Sequence, residues 1–168
     1  MNIIKQRCKW NIPLAFFLFC CFSSKAAEYQ PDLYRYEIET AGLGIQDNML
    51  YKITCWVKNP SSAVETASVN AIHGVIFSGC SASEGMPAQT PLVKTPTLSK
   101  EQTAYFDAFF RDRKYSQYIV SIARSSMKVI KMKKQYRIEV VVSVNKRKLR
   151  QELEKAGIIQ KLGAVFEK

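Results

Sequence analysis

Histidine is almost missing from this chain of 168 residues: His73 is the only one. With one imidazole, and only Cys55 and Cys80 as cysteines beyond residue 26, a closed zinc site would have to recruit carboxylates from unrelated segments. No metal is expected. Acids are scarce too, 14 against 25 lysines and arginines. Asp107, Asp112, Glu37 and Glu39 are scattered, which gives no sign of the carboxylate pair that glycoside hydrolysis requires. No serine sits in a nucleophile elbow, so a small hydrolase of the Ser–His–acid kind rests on His73 alone, and a histidine at a helix–sheet boundary is the simpler reading. Gly42-Leu43-Gly44 lacks the third glycine and the following helix of a phosphate cradle, and reads as a turn. No apolar run approaches the roughly 20 residues that a membrane-crossing helix needs. No internal repeat appears. Catalytic, cofactor-binding and metal-binding residues are therefore left unassigned, and a non-enzyme is expected.

What is present begins with a leader. Lys5, Arg7 and Lys9 precede the apolar run Ile12 to Phe22, and Ser24-Lys25-Ala26 places small residues at −3 and −1 of a cleavage site. Charged start, short greasy centre and small-residue end are the parts of a secretory signal peptide. Residues 1–26 are read as that signal, and the protein as exported, periplasmic or at the cell surface. A second route takes Cys21 as a lipidated cysteine, which would hold the chain on a membrane, although Cys20 is a poor residue to precede it. With the leader go Lys5, Arg7, Lys9 and Lys25 and no acid, so the formal charge falls from +11 to +7. Export argues against nucleic acid as the partner of those cations; anionic lipid and acidic glycan remain, as does plain solubility. Outside the cytoplasm Cys55 and Cys80 can bridge, while a buried free thiol within an apolar strand is equally ordinary.

Residues 27–168 suffice for one domain with a real core. Tyr34 to Thr40 alternates apolar and charged residues, and Met49 to Lys58 carries apolar groups on both faces, so the two predict a hairpin with the second strand more central. Ser62 with Glu65 has the spacing of a capping box that opens a helix from Ala63 to Ser78, stopped by Gly79. Residues 81–98, with Gly85, Pro87, Pro91 and Pro96, read as a long loop, of the kind that is functional or mobile. Ser99 with Gln102 caps a second helix, about Lys100 to Phe110. Tyr115 to Met132 returns to strand, Lys133-Lys134-Gln135 turns, and Tyr136 to Val144 alternates Tyr136, Ile138, Val140, Val142 and Val144 on one face. Asn145 and Gly157 bound a last helix, with Lys148–Glu152 and Arg150–Glu154 spaced to pair, and Ile158 to Phe166 continues as an amphipathic tail. The order ββα–loop–αββα predicts an α+β domain: two hairpins in one antiparallel sheet, helices packed on one face, strand order open.

Two surfaces are candidates for partner binding. Four rings, Tyr105, Phe106, Phe109 and Phe110, crowd one helix and cannot all face a narrow core. Core packing is the alternative use for them. Cations crowd the last hairpin at Lys128, Lys131, Lys133, Lys134 and Arg137, and the last helix start at Lys146, Arg147, Lys148 and Arg150, where they oppose the helix dipole. They read either as a solvated face or as an electrostatic docking patch.

Ile72-His73-Gly74-Val75-Ile76-Phe77, Tyr136-Arg137-Ile138-Glu139-Val140-Val141-Val142-Ser143-Val144-Asn145 and Leu149 to Ile159 resemble small exported proteins of Bacteroidetes-type bacteria. The resemblance implies an envelope role, accessory to a secretion or surface-assembly machine, and carries over no functional residue. The expected function is a non-enzymatic envelope protein that binds a protein partner. The alternative is a binding module for an acidic glycan or lipid.

Overall fold

The computed structural model describes residues 34–161 apart from positions 84 and 96. The leader, Cys21 and the tail from Leu162 to Phe166 lie outside the described residues. Strands β1 (Tyr36–Leu43), β2 (Met49–Val57), β3 (Ile119–Ile122), β4 (Lys128–Lys131) and β5 (Tyr136–Val144) form one antiparallel sheet, with helices α1 (Ala63–His73), α2 (Lys100–Arg111) and α3 (Lys146–Lys155), an α+β architecture.

The alternation in β5 does what its period requires: Ile138, Val140, Val142 and Val144 are all buried on one face. On β2 the same face carries Tyr51, Ile53, Cys55 and Val57, also buried. These two strands pair along their whole length, from Met49 against Val144 to Val57 against Tyr136, at the middle of the order β1-β2-β5-β3. β1 completes a hairpin on the far side of β2, with an irregularity between Thr40 and Gly42. The strand expected over 115–132 is in fact divided. Tyr115 and Tyr118 leave it for a 3-10 turn, Lys114–Tyr118, and both rings are buried in the core. A second turn, Arg124–Ser126, then separates β3 from β4, which lie end to end along the same edge of β5.

α1 covers the apolar face. Its buried residues include Ala63, Ala67 and Ala71, whose small side chains allow close approach to the sheet. The contact is tightest at Gly74, where a Cβ would stand 2.8 Å from Ile38 Cδ1 and 3.2 Å from Tyr36 Cε2. The helix then widens into a π-helical turn, Gly74–Ser78, closed by the Gly79 N–H donating to Gly74 O at 2.8 Å. Ser62 and Glu65 do not form the expected capping box. Pro60 opens a 3-10 turn in front of α1, Asn59 Oδ1 accepts from the Ser61 N–H at 3.0 Å, and the Ser62 hydroxyl donates back to Asn59 O at 2.8 Å. Glu65 pairs with Arg113 at 3.0 Å instead. The Ser99–Gln102 box on α2 and the Asn145 cap on α3 both form as the sequence predicts. Leu149 and Leu153 of α3 and Phe106 and Phe109 of α2 join the same buried cluster. Inside it, Asn70 is fully buried with neither amide atom hydrogen-bonded among the described residues. Cys55 and Cys80 are each buried as free thiols.

The long segment after α1 is packed down. The Ser81 N–H donates to Ile38 O at 3.1 Å and the Thr40 N–H to Ser81 O at 3.0 Å, which covers part of the outer edge of β1. Cys80 and Gln89 exchange both backbone hydrogen bonds. Leu92 and Val93 then bury their side chains and donate to Val75 O and Ile76 O, carbonyls that the widened turn leaves open.

Gly79 adopts φ +73° and a Cβ there would lie 2.4 Å from Gln89 O, whereas Gly85, at φ +79°, has open space around it. Gly79→Ala is expected to destabilise by about 3 kcal/mol or more, and Gly85→Ala by about 1 kcal/mol, as read by denaturant unfolding.

Candidate functional site

A groove of about 690 Å³ runs beside the outer edge of β1, between Tyr34, Tyr36, His73, Ser78, Cys80 and Gln89. β1 brings Tyr36, the end of α1 brings His73, and the π-helical turn brings Ser78. The Tyr36 hydroxyl stands between the other two, 2.7 Å from His73 Nδ1 and 2.9 Å from Ser78 Oγ. Aromatic rings surround the imidazole, with the Tyr34 centroid at 4.1 Å and the Phe77 centroid at 4.9 Å. Burial lowers the His73 pKa to about 4, so the ring is neutral at ordinary pH. Burial likewise raises Tyr36, against the Ser78 hydrogen bond that lowers it.

This geometry is a clasp between α1 and β1. Ser78 Oγ is hydrogen-bonded to the Tyr36 phenol, and no hydrogen bond joins it to the imidazole that would have to take its proton, among the described residues. Burial pushes the Cys80 thiol up to about 11, outweighing the nearby Lys146 charge, and a protonated thiol is a poor nucleophile. At the rim Glu39 is held by Lys52 at 3.1 Å.

A second polar cluster adjoins it. Lys146 Nζ donates to Gln89 Oε1 at 2.6 Å, and the Tyr51 hydroxyl donates to the same oxygen at 3.3 Å. The Gln89 carbonyl thus faces one of the cations that crowd the α3 N-terminus, and burial lowers that lysine's pKa. Arg150 reaches Glu154 at 2.8 Å, while the Lys148 ammonium lies 6.0 Å from the Tyr118 ring centroid.

The structure redistributes the sequence-derived partner surface. Phe106 and Phe109 are core residues, and Tyr105 and Phe110 are half-buried against that core, so core packing takes up two of the four rings fully and the other two in part. Its rings instead pack on Phe77, Tyr115 and Tyr118, with Phe77–Phe106 centroids 4.7 Å apart. The cations do not form one patch either. Lys128, Lys131, Lys133, Lys134 and Arg137 lie at the start of β5, and Arg147, Lys148 and Arg150 follow its end. Lys128 is level with Glu139 and Lys131 with Tyr136, so along β5 these positions stand roughly 17 to 27 Å from Val144, after which α3 begins.

Sequence reasoning missed the exposure of β4. All four of its residues are exposed, including Val129 and Ile130 at 45% each, and Met132 beyond them is 44% exposed. Lys128, Lys131, Lys133 and Lys134 intersperse with these apolar groups. Among the described strands β4 pairs with β5 alone, Lys128 against Glu139 through Lys131 against Tyr136. Glu139 is engaged by Arg137 at 2.9 Å and approached by Lys128 at 3.8 Å. The other exposed apolar groups, Leu43, Ile45 and Val120, sit at the opposite end of the sheet, near the pairing of Met49 with Val144. Among the described residues no helix is long and apolar enough to cross a membrane, and no group of three His, Cys, Asp or Glu side chains could hold a metal ion.

The buried imidazole makes stability pH-dependent with a definite sign. His73 ionises near its ordinary 6.5 when unfolded and near 4 when folded, so the unfolded chain binds the extra proton between those values. His73's contribution is complete above pH 6.5 and is lost as pH falls toward 4, by up to about 1.4 kcal/mol per unit. Denaturant unfolding across that window should show a steeper slope for the native chain than for His73→Gln.

The chain matches no protein-family model, no curated protein and no solved structure.

Proposed function

We propose that this chain is an exported, non-enzymatic envelope protein that holds another protein during assembly of a secretion or cell-surface apparatus. The observation that carries the reading is β4: a strand exposed at every residue, with Val129, Ile130 and the adjoining Met132 presented among four lysines. Exposed apolar groups clustered on one edge are what a partner covers. The leader pattern at residues 1–26 supports export. The neutral, mutually bonded groups of the β1 groove support a binding role over a chemical one.

Capture of an acidic glycan or lipid is the second reading, favoured by the exposed turn from Lys131 to Lys134. It is weakened by the separation of the two cation clusters, since neither alone makes a broad basic field.

A photo-crosslinking residue placed at Val129 or Ile130 in intact envelopes tests the proposal, with exposed Gln151 on α3 as control. The expected result is a discrete protein adduct at the β4 positions that persists in about 0.5 M salt, where surface charge attraction is screened. Absence of an adduct, or association with anionic vesicles that salt abolishes, would favour the second reading. Mass spectrometry of the exported form is expected to begin at Ala27, and an uncut leader in the cytosol would overturn export.

A further inference from the structure

We infer that β4 accepts an extended acidic segment of its partner as an added strand, continuing the sheet beyond its present edge. The inference rests on the partner-binding role proposed above and names the chemistry of that partner. Three features of the edge converge on it.

First, the two ends of the sheet are treated differently. The outer edge of β1 is met by Ser81, whose backbone exchanges hydrogen bonds with Ile38 and Thr40. The outer edge of β4 has no strand against it among the described residues. Backbone donors and acceptors along such an edge form a template for another strand.

Second, the exposed apolar pair is placed on both sides of the sheet. Val129 pairs with buried Ile138 and so lies on the helix-covered side, whereas Ile130 pairs with Arg137 on the open side. Neighbouring residues in a strand point to opposite faces. A flat surface such as a bilayer can cover only one of them. A strand laid alongside reaches both, because its own side chains alternate in the same way.

Third, the charge selects the occupant. Lys128, Lys131, Lys133 and Lys134 line the edge and the turn beyond it. A second copy would bring its own lysines against these, and like charges across a strand pair destabilise it. Lysine on an edge is a usual device against self-pairing. Two adjacent apolar residues flanked by glutamate or aspartate would set one apolar side chain on each face, beside Val129 and Ile130, and meet the ammonium groups of Lys128 and Lys131.

The test uses the full exported chain and a blocked synthetic valine–glutamate peptide in which pairs of adjacent valines alternate with pairs of glutamates. Fluorescence anisotropy of the labelled peptide reads binding, and amide hydrogen exchange of the protein reads place. Binding with exchange slowed at 128–132 is expected. Lys131→Glu together with Lys133→Glu, both at exposed positions, should weaken that peptide by about tenfold or more and admit the valine–lysine analogue instead. Far-UV circular dichroism unchanged from the native chain establishes that the double variant is folded. N-methylation of alternate residues along one edge of the valine–glutamate peptide should abolish binding, because it removes the backbone donors while leaving charge and side chains.

Equal binding of the N-methylated peptide or of polyglutamate would overturn strand addition. So would slowed exchange located away from β4, equal protection by phosphatidylglycerol vesicles, or a dimer in sedimentation that the double variant abolishes. If crosslinks at Val129 and Ile130 persist while the peptide fails, the partner role stands and strand addition falls. If neither forms, both fall.

Discussion

The sheet depends on one long-range pairing. β2 and β5 come from opposite ends of the domain, and each has a fully apolar face, so together they make the floor on which α1 rests. Without that ladder the first hairpin is a two-stranded ribbon, marginal by itself in water, and the segment from β3 to β5 is another. Closing the intervening chain costs entropy that the buried rows of Tyr51, Ile53 and Cys55 against Val142, Val140 and Ile138 must offset. The same pairing forces β3 and β4 to the outside, because the inner edge of β5 is already occupied.

A second constraint is how closely α1 approaches β1. Gly74 is the point of contact, and the chain widens there into a π-helical turn, so the carbonyls of Val75 and Ile76 are left to the returning segment at Leu92 and Val93. The Ser78–Tyr36–His73 hydrogen bonds fasten the same junction from the side. A groove that resembles an active site in its residue types is therefore, in its geometry, a joint. His73 needs its surroundings to be uncharged, and the rings of Tyr34, Phe77 and Phe110 provide them.

Local signals were legible where a local interaction decides the outcome. The Ser99–Gln102 box, the Asn145 cap, the stop at Gly157 and the alternation of β5 all follow from neighbouring residues. Ser62 with Glu65 has the same spacing as a working box, yet Pro60 starts a turn one step earlier and Asn59 takes the capping role. Which of four rings face inward on α2 depends on Tyr115 and Tyr118 leaving the expected strand, and no periodicity announces that. The cations from Lys128 to Arg150 look like one cluster in the sequence because β5, which separates them, is itself short in residues and long in space. The groove beside β1 joins Tyr34 and Tyr36 to His73 and Ser78, contacts that only the tertiary fold creates.

The unequal edges of the sheet also set a valence. Ser81 is a piece of the chain's own backbone standing where a neighbour's strand would otherwise join β1, so extension from that side is blocked at Ile38 to Thr40. A guest strand of the kind proposed at β4 would stand four strands from β1, whose outer edge is met by Ser81 between Ile38 and Thr40. On that proposal the pairing would not be relayed through the Ile38–Thr40 stretch, so a guest at β4 would end a row of strands there instead of extending it across the sheet.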